Sequence, residues 1–299
     1  RNYEGQSTRS SGRSGKNMSL GSAAATESSK RCKTVGLALG SGGAKGLAHI
    51  GVIKTLENHN IPIDFVVGSS IGAMVGGFYA SGLTSKEIEE VALSTDWRRI
   101  LSVLSDPGLK NGLIGGDKTK AFIEHYVNGK KIEDCKIPFA AIATDLATGE
   151  LVVLRSGSLA SAIRASISIP LAYAPVEFDG RILADGGLAA PVPVEATRAT
   201  GVDVVIGVNL ESHHCHGEWK PNWYSIADNA LSIMRHHMSL LDASSADVVI
   251  DVELEKTLWF QFTNGGSKIL AGERATKAIL PQLEKILYEI QLVVRYSLG

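Results

Sequence analysis

Cysteine is scarce and scattered in this chain. Cys32, Cys135 and Cys215 are three among 299 residues, odd in number and without C-x-x-C spacing. That excludes a disulfide framework and a paired zinc or redox site, and predicts free thiols in a reducing compartment. Charge of one sign is lacking too, since thirty Lys and Arg meet thirty-one Asp and Glu for a net −1. No overall field therefore recruits nucleic acid or an anionic surface. The start of the chain has no apolar h-region. Its first thirty residues are rich in Ser, Gly, Arg and Thr and poor in large apolar side chains, which predicts a disordered tail over 1–32 ahead of one catalytic domain over 33–299. Internal repeats are absent as well.

What is present is an α/β pattern. Thr34-Val-Gly-Leu-Ala-Leu39 is a short apolar run ending in glycines, the signature of a strand buried on both faces of a parallel sheet. Ile50, Ile53 and Leu56 follow at helical spacing, and Ile63-Asp-Phe-Val-Val67 reads as the next strand, completing a βαβ unit. The uncharged stretch Phe65 to Thr84 has the length of a membrane span, yet its five glycines divide it into a strand and a small-residue helix. Further strands are expected within 138–154 as a hairpin, at 181–184, at 202–208 and at 247–251, with helices at 225–241 and 278–296. Alternating strands and helices predict a three-layer α/β/α domain with a mainly parallel central sheet.

Three motifs carry chemistry. Gly68-Ser69-Ser70-Ile71-Gly72 is a G-x-S-x-G between a predicted strand and a predicted helix, the context of a nucleophile elbow with Ser70 at its apex. Gly40-Ser41-Gly42-Gly43-Ala44-Lys45-Gly46 is a second strand-to-helix loop, suited either to phosphate or to an oxyanion. Neither nucleotide pattern fits its spacing, because Lys45 is followed by Gly46 and occupies the place of the last glycine in G-x-G-x-x-G. Lys45 itself is expected to be solvated. Asp185-Gly186-Gly187 is by itself a turn signal, but a carboxylate at a strand end supplies the base that a serine nucleophile needs.

Together with Ile163-Arg-Ala-Ser-Ile-Ser-Ile-Pro170, these motifs stand in the order found in the patatin-like phospholipases, which the chain resembles from about Lys33 to Gly207, especially their bacterial members and the related domain of neuropathy target esterase. The resemblance implies a Ser70–Asp185 dyad, an oxyanion hole from the backbone of Gly42 and Gly43, and hydrolysis of acyl esters of phospholipids or lysophospholipids with no cofactor or metal. It further implies a cytoplasmic protein with peripheral membrane contact, while oligomeric state stays open. Ser41 departs from the third glycine many members carry, and no role follows for Arg164 or Asp145. Two alternatives stand beside this reading. A Ser-His-Asp esterase is permitted by His213, His214, His216, His236 and His237, which all follow Asp185. A catalytically silent lipid-binding module on the same fold is the other. The run Ser212 to Gly217 is expected to be a solvated loop, and His49 a packing residue.

Overall fold

The computed structural model describes residues 33–100, 114–213, 222–255 and 257–288. The tail expected at 1–32 lies outside the described residues, as do Cys32, His214, Cys215 and His216.

The βαβ unit is present: β1 (Val35–Leu39), α1 (Ala48–Asn58) and β2 (Phe65–Ser69), with the two strands parallel. Helix α2 (Ile71–Ser81) follows immediately, so the uncharged stretch is a strand and a helix in the core. Next come α3 (Ser85–Ser94), α4 (Trp97–Ile100) and α5 (Asp117–Val127). The expected hairpin is β3 (Phe139–Asp145) against β4 (Leu151–Leu154). Helix α6 (Leu159–Ser166) leads to a small antiparallel pair, β5 (Val176–Phe178) and β6 (Arg181–Asp185). The chain continues through α7 (Val194–Arg198), β7 (Val204–Asn209), α8 (Trp223–Ser244), β8 (Val248–Asp251) and α9 (Gly265–Tyr288).

Hydrogen-bonded neighbours run β5-β6-β3-β2-β1-β7-β8, with β4 also on β3. The alternating faces of the strands bury on two sides. Val35, Leu37 and Leu39 of β1 join Val52 and Ile53 of α1 and Ile269 of α9 in the larger core. Ala38 points the other way, onto Val194 of α7 and Ala243 of α8. This is the predicted three-layer α/β/α arrangement with a mostly parallel sheet.

The last helix departs from expectation by beginning at Gly265, well before 278. Its early turns meet α1 backbone to backbone: a Cβ at Gly272 would lie 2.0 Å from the Ala48 carbonyl oxygen, and one at Gly51 1.9 Å from that of Ile269. Such a contact uses small residues and leaves no apolar stripe for periodicity to detect.

The sheet register brings two motifs together. Ala141 and Ile142 of β3 pair with β2 on one edge and β4 on the other, whereas Ala143 and Thr144 pair with β4 and β6. Strand β6 thus takes over the edge of β3 that β2 leaves. Ser69 is opposite Ile142 and Asp185 is opposite Ala143. Because β2 runs parallel and β6 antiparallel to β3, the two strands end head to head on adjacent residues.

Candidate active site

Ser70 leaves β2 in a sharp turn, with φ 56° and ψ −125°, a region non-glycine residues rarely occupy. The flanking glycines permit the turn. A Cβ at Gly68 would lie 2.4 Å from the Gly72 oxygen, and one at Gly72 2.2 Å from the Leu39 oxygen. Helix α2 starts directly behind Ser70 and places its positive end there.

The Ser70 hydroxyl donates to Asp185 Oδ2 at 2.6 Å, and the Gly187 N–H donates to Oδ1 at 2.8 Å. Both residues are buried. Burial pushes the Asp185 carboxyl up to about 6, against the opposing pull of the Ser70 and Gly187 hydrogen bonds and of the Arg235 charge. Among the described residues no histidine bonds to either group. His49 Nε2 meets the Gly40 oxygen at 2.7 Å, His213 Nδ1 meets Ser212 Oγ at 3.0 Å, and His236 Nδ1 meets the Glu211 oxygen at 2.6 Å. Burial holds His49 down at about 4, so it is neutral at physiological pH and packs beneath the glycine loop.

In that loop Ser41 N–H donates to the Pro191 oxygen at 2.7 Å, Ala44 N–H to that of Trp259 at 2.8 Å and Lys45 N–H to that of Gly42 at 3.1 Å. The Gly42 and Gly43 N–H groups have no acceptor among the described residues, and both glycines line the same cleft as Ser70 and Asp185. Their φ angles, 151° and 54°, are ones that side chains disfavour, and a Cβ at Gly43 would lie 2.7 Å from Trp259 Cα. Lys45 corrects the expectation of a solvated side chain. It is largely buried and pairs with Glu211 at 3.2 Å, because the loop folds back over the end of β7.

The motif from Ile163 to Pro170, without a role in the sequence, ties the two ends together. Ser166 Oγ accepts the Ser70 N–H at 2.9 Å and donates to the Ile142 oxygen at 2.5 Å. The Asp185 N–H donates to the Ser168 oxygen at 3.0 Å. Arg164, buried, holds this segment by donating to Ser168 Oγ at 2.7 Å and to the oxygens of Gly115 and Ala174 at 2.8 and 3.1 Å. Asp145 accepts from Ala147 N–H at 2.9 Å in the β3–β4 turn, with Arg181 3.8 Å away.

These groups open into a cleft of about 370 Å³. Ile169, Pro170, Leu188, Leu258 and Trp259 supply apolar lining, and Ser225, Asp228, Asn229, Ser232 and Arg235 of α8 supply a polar wall. Sequence reading missed that wall. Its signal was the spacing of polar residues three and four apart within 225–235.

A sequence profile described as patatin-like phospholipase matches residues 37–198, which takes in the glycine loop, the elbow, the Ile163–Pro170 motif and Asp185. The chain belongs to this family. Patatin-like phospholipases are lipid acyl hydrolases. An uncharacterized NTE family protein of Mycobacterium tuberculosis is 39% identical over 218 residues, covering 73% of this chain and 60% of that protein. The human patatin-like phospholipase domain-containing protein 6 is 31% identical over 186 residues, covering 60% of this chain and 13% of that protein. The chain thus spans 60% of the length of its mycobacterial relatives. In fold it is similar to VipD from Legionella pneumophila, with a TM-score of 0.57 at 15% identity over 84% of this chain and 67% of that one.

Proposed function

We propose that this patatin-like domain hydrolyses acyl esters of phospholipids or lysophospholipids through a Ser70–Asp185 dyad. The 2.6 Å hydrogen bond from the Ser70 hydroxyl to a buried carboxylate carries the reading. An aspartate raised to about 6 is a better base than an ordinary one and still ionised at neutral pH. Asp185 takes the hydroxyl proton as Ser70 Oγ attacks the ester carbonyl. The N–H groups of Gly42 and Gly43 receive the oxyanion. Collapse expels the alcohol, which recovers the proton from Asp185 and leaves an acyl-Ser70. Water, deprotonated in turn by Asp185, releases the fatty acid and restores the serine.

Contact with the surface of a lipid aggregate, in the cytoplasm, is part of this reading. It is supported by the outer face of α8, where Trp223, Ile226, Met234 and Leu241 are exposed. No described helix is long and apolar enough to cross a membrane.

The test is covalent labelling by a fluorophosphonate, followed by fatty acid release from a panel of phospholipids and lysophospholipids. Labelling mapped to Ser70 together with release is expected. An unlabelled Ser70 and no release from any member would overturn the proposal.

A further inference from the structure

We infer that Arg235 is the residue that recognises the phosphate of the lipid substrate. The inference rests on the proposed esterase reading and adds a selectivity to it.

The cleft has two lining cations among the described residues. Lys45 is already neutralised by Glu211 at 3.2 Å. Arg235 is only partly exposed, and neither an ion pair nor a hydrogen bond holds it among the described residues. A partly buried guanidinium with no hydrogen-bonded partner is unfavourable unless a ligand completes it. Its planar fork suits the oxygens of a phosphate. The same cleft is lined by Asp185, Glu211 and His213 and, on the α8 wall with Arg235, by Asp228. Glu211 is held by Lys45, but Asp185 and Asp228 would repel an anion, so Arg235 decides whether an anionic headgroup is accepted.

Arg235 is also close enough to Asp185 for its charge to favour the ionised carboxylate. A phosphate bound on the guanidinium cancels that pull. Asp185 should therefore titrate higher with a phosphate-bearing substrate in place than with a neutral one.

A matched pair of substrates tests both consequences: lysophosphatidic acid and the monoacylglycerol with the same acyl chain, which differ by the phosphate alone. In Arg235→Gln the ratio of kcat/KM, phosphate-bearing over neutral, should fall about tenfold or more, the loss of a charge-assisted contact. Arg235→Lys should recover part of it. In the parent, the kcat–pH inflection should lie higher for lysophosphatidic acid, and in Arg235→Gln, where the phosphate loses its seat, the gap between the two inflections should narrow. Glycerol 3-phosphate should compete with monoacylglycerol in the parent, which keeps the inference testable if the glutamine variant does not fold. A ratio unchanged in Arg235→Gln, or an absence of competition in the parent, would sink it. If monoacylglycerol is cleaved and Ser70 labelled while the ratio ignores Arg235, this inference alone fails. If neither substrate is cleaved and Ser70 is unlabelled, the esterase reading fails first.

Discussion

On the floor of the cleft, around Ser70, backbone fixes the geometry: Gly68 and Gly72 admit the turn, Gly42 and Gly43 leave two N–H groups without acceptors among the described residues, and Ser166 clamps the Ser70 N–H to β3. Along the wall, α8 contributes side chains such as Ser232 and Arg235 from one exposed helix that makes little use of the deep core. The floor is buried and over-determined, so it suits groups that must be placed within a fraction of an ångström. The wall is made of side chains on one helix face outside the deep core and so suits selection among substrates. Changes to the floor should then cost orders of magnitude in rate with every substrate, and changes to the wall should alter preference.

The sharpest way to break this contrast is at the dyad. Ser70→Ala should lower kcat by up to ~10⁶, and Asp185→Asn should come close, because an amide cannot accept the hydroxyl proton. Ser69→Ala, whose buried hydroxyl has no partner among the described residues, should cost far less. Alanine at His213, His214, His216, His236 or His237, one at a time, should leave kcat within about tenfold of the parent. Hydrolysis assays on folded variants, checked by circular dichroism, decide the matter. A collapse at one histidine would move the chain to a Ser-His-Asp mechanism and make part of the wall catalytic.

The glycine loop comes next in size. Gly43→Val puts a branched side chain at φ 54° against the Trp259 backbone and should displace one oxyanion donor. A fall of ~10²–10³ in kcat is expected, with KM little changed. A rise in KM alone would mean that the loop binds substrate without stabilising the oxyanion.

The floor was also the legible half in the sequence. Its constraints are glycines at fixed offsets from a serine and an aspartate, and each one follows from a local turn. The head-to-head meeting of β2 and β6 was implied by the D-G-G motif only through chemical need, since register on β3 is a property of the sheet. Ser166 and Ser168 lie within a legible motif whose role is not, because their partners are 96 residues away at Ser70 and 17 away at Asp185 in the chain. Arg235 was invisible for another reason: a single arginine on an amphipathic helix has no signal until the fold turns that face into a cleft. The early turns of α9 escaped because they pack through Gly272 and not through an apolar stripe.

The smallest effect expected concerns stability, and its sign separates a strained floor from a merely rigid one. Below about 3.8, Asp185 is protonated in both folded and unfolded chains and contributes no pH dependence. Between 3.8 and about 6 the unfolded chain ionises while the buried carboxyl stays neutral, so rising pH favours unfolding. Above about 6 both states are ionised and the penalty is constant. Asp185→Asn removes that titration. The stability of the variant relative to the parent, from urea unfolding, should therefore grow as pH rises from 4 to about 6 and then level off. His49 titrates equally in both proteins and cancels from the difference. A difference that shrinks with rising pH would mean that the fold stabilises ionised Asp185, which would remove the reason given for its basicity.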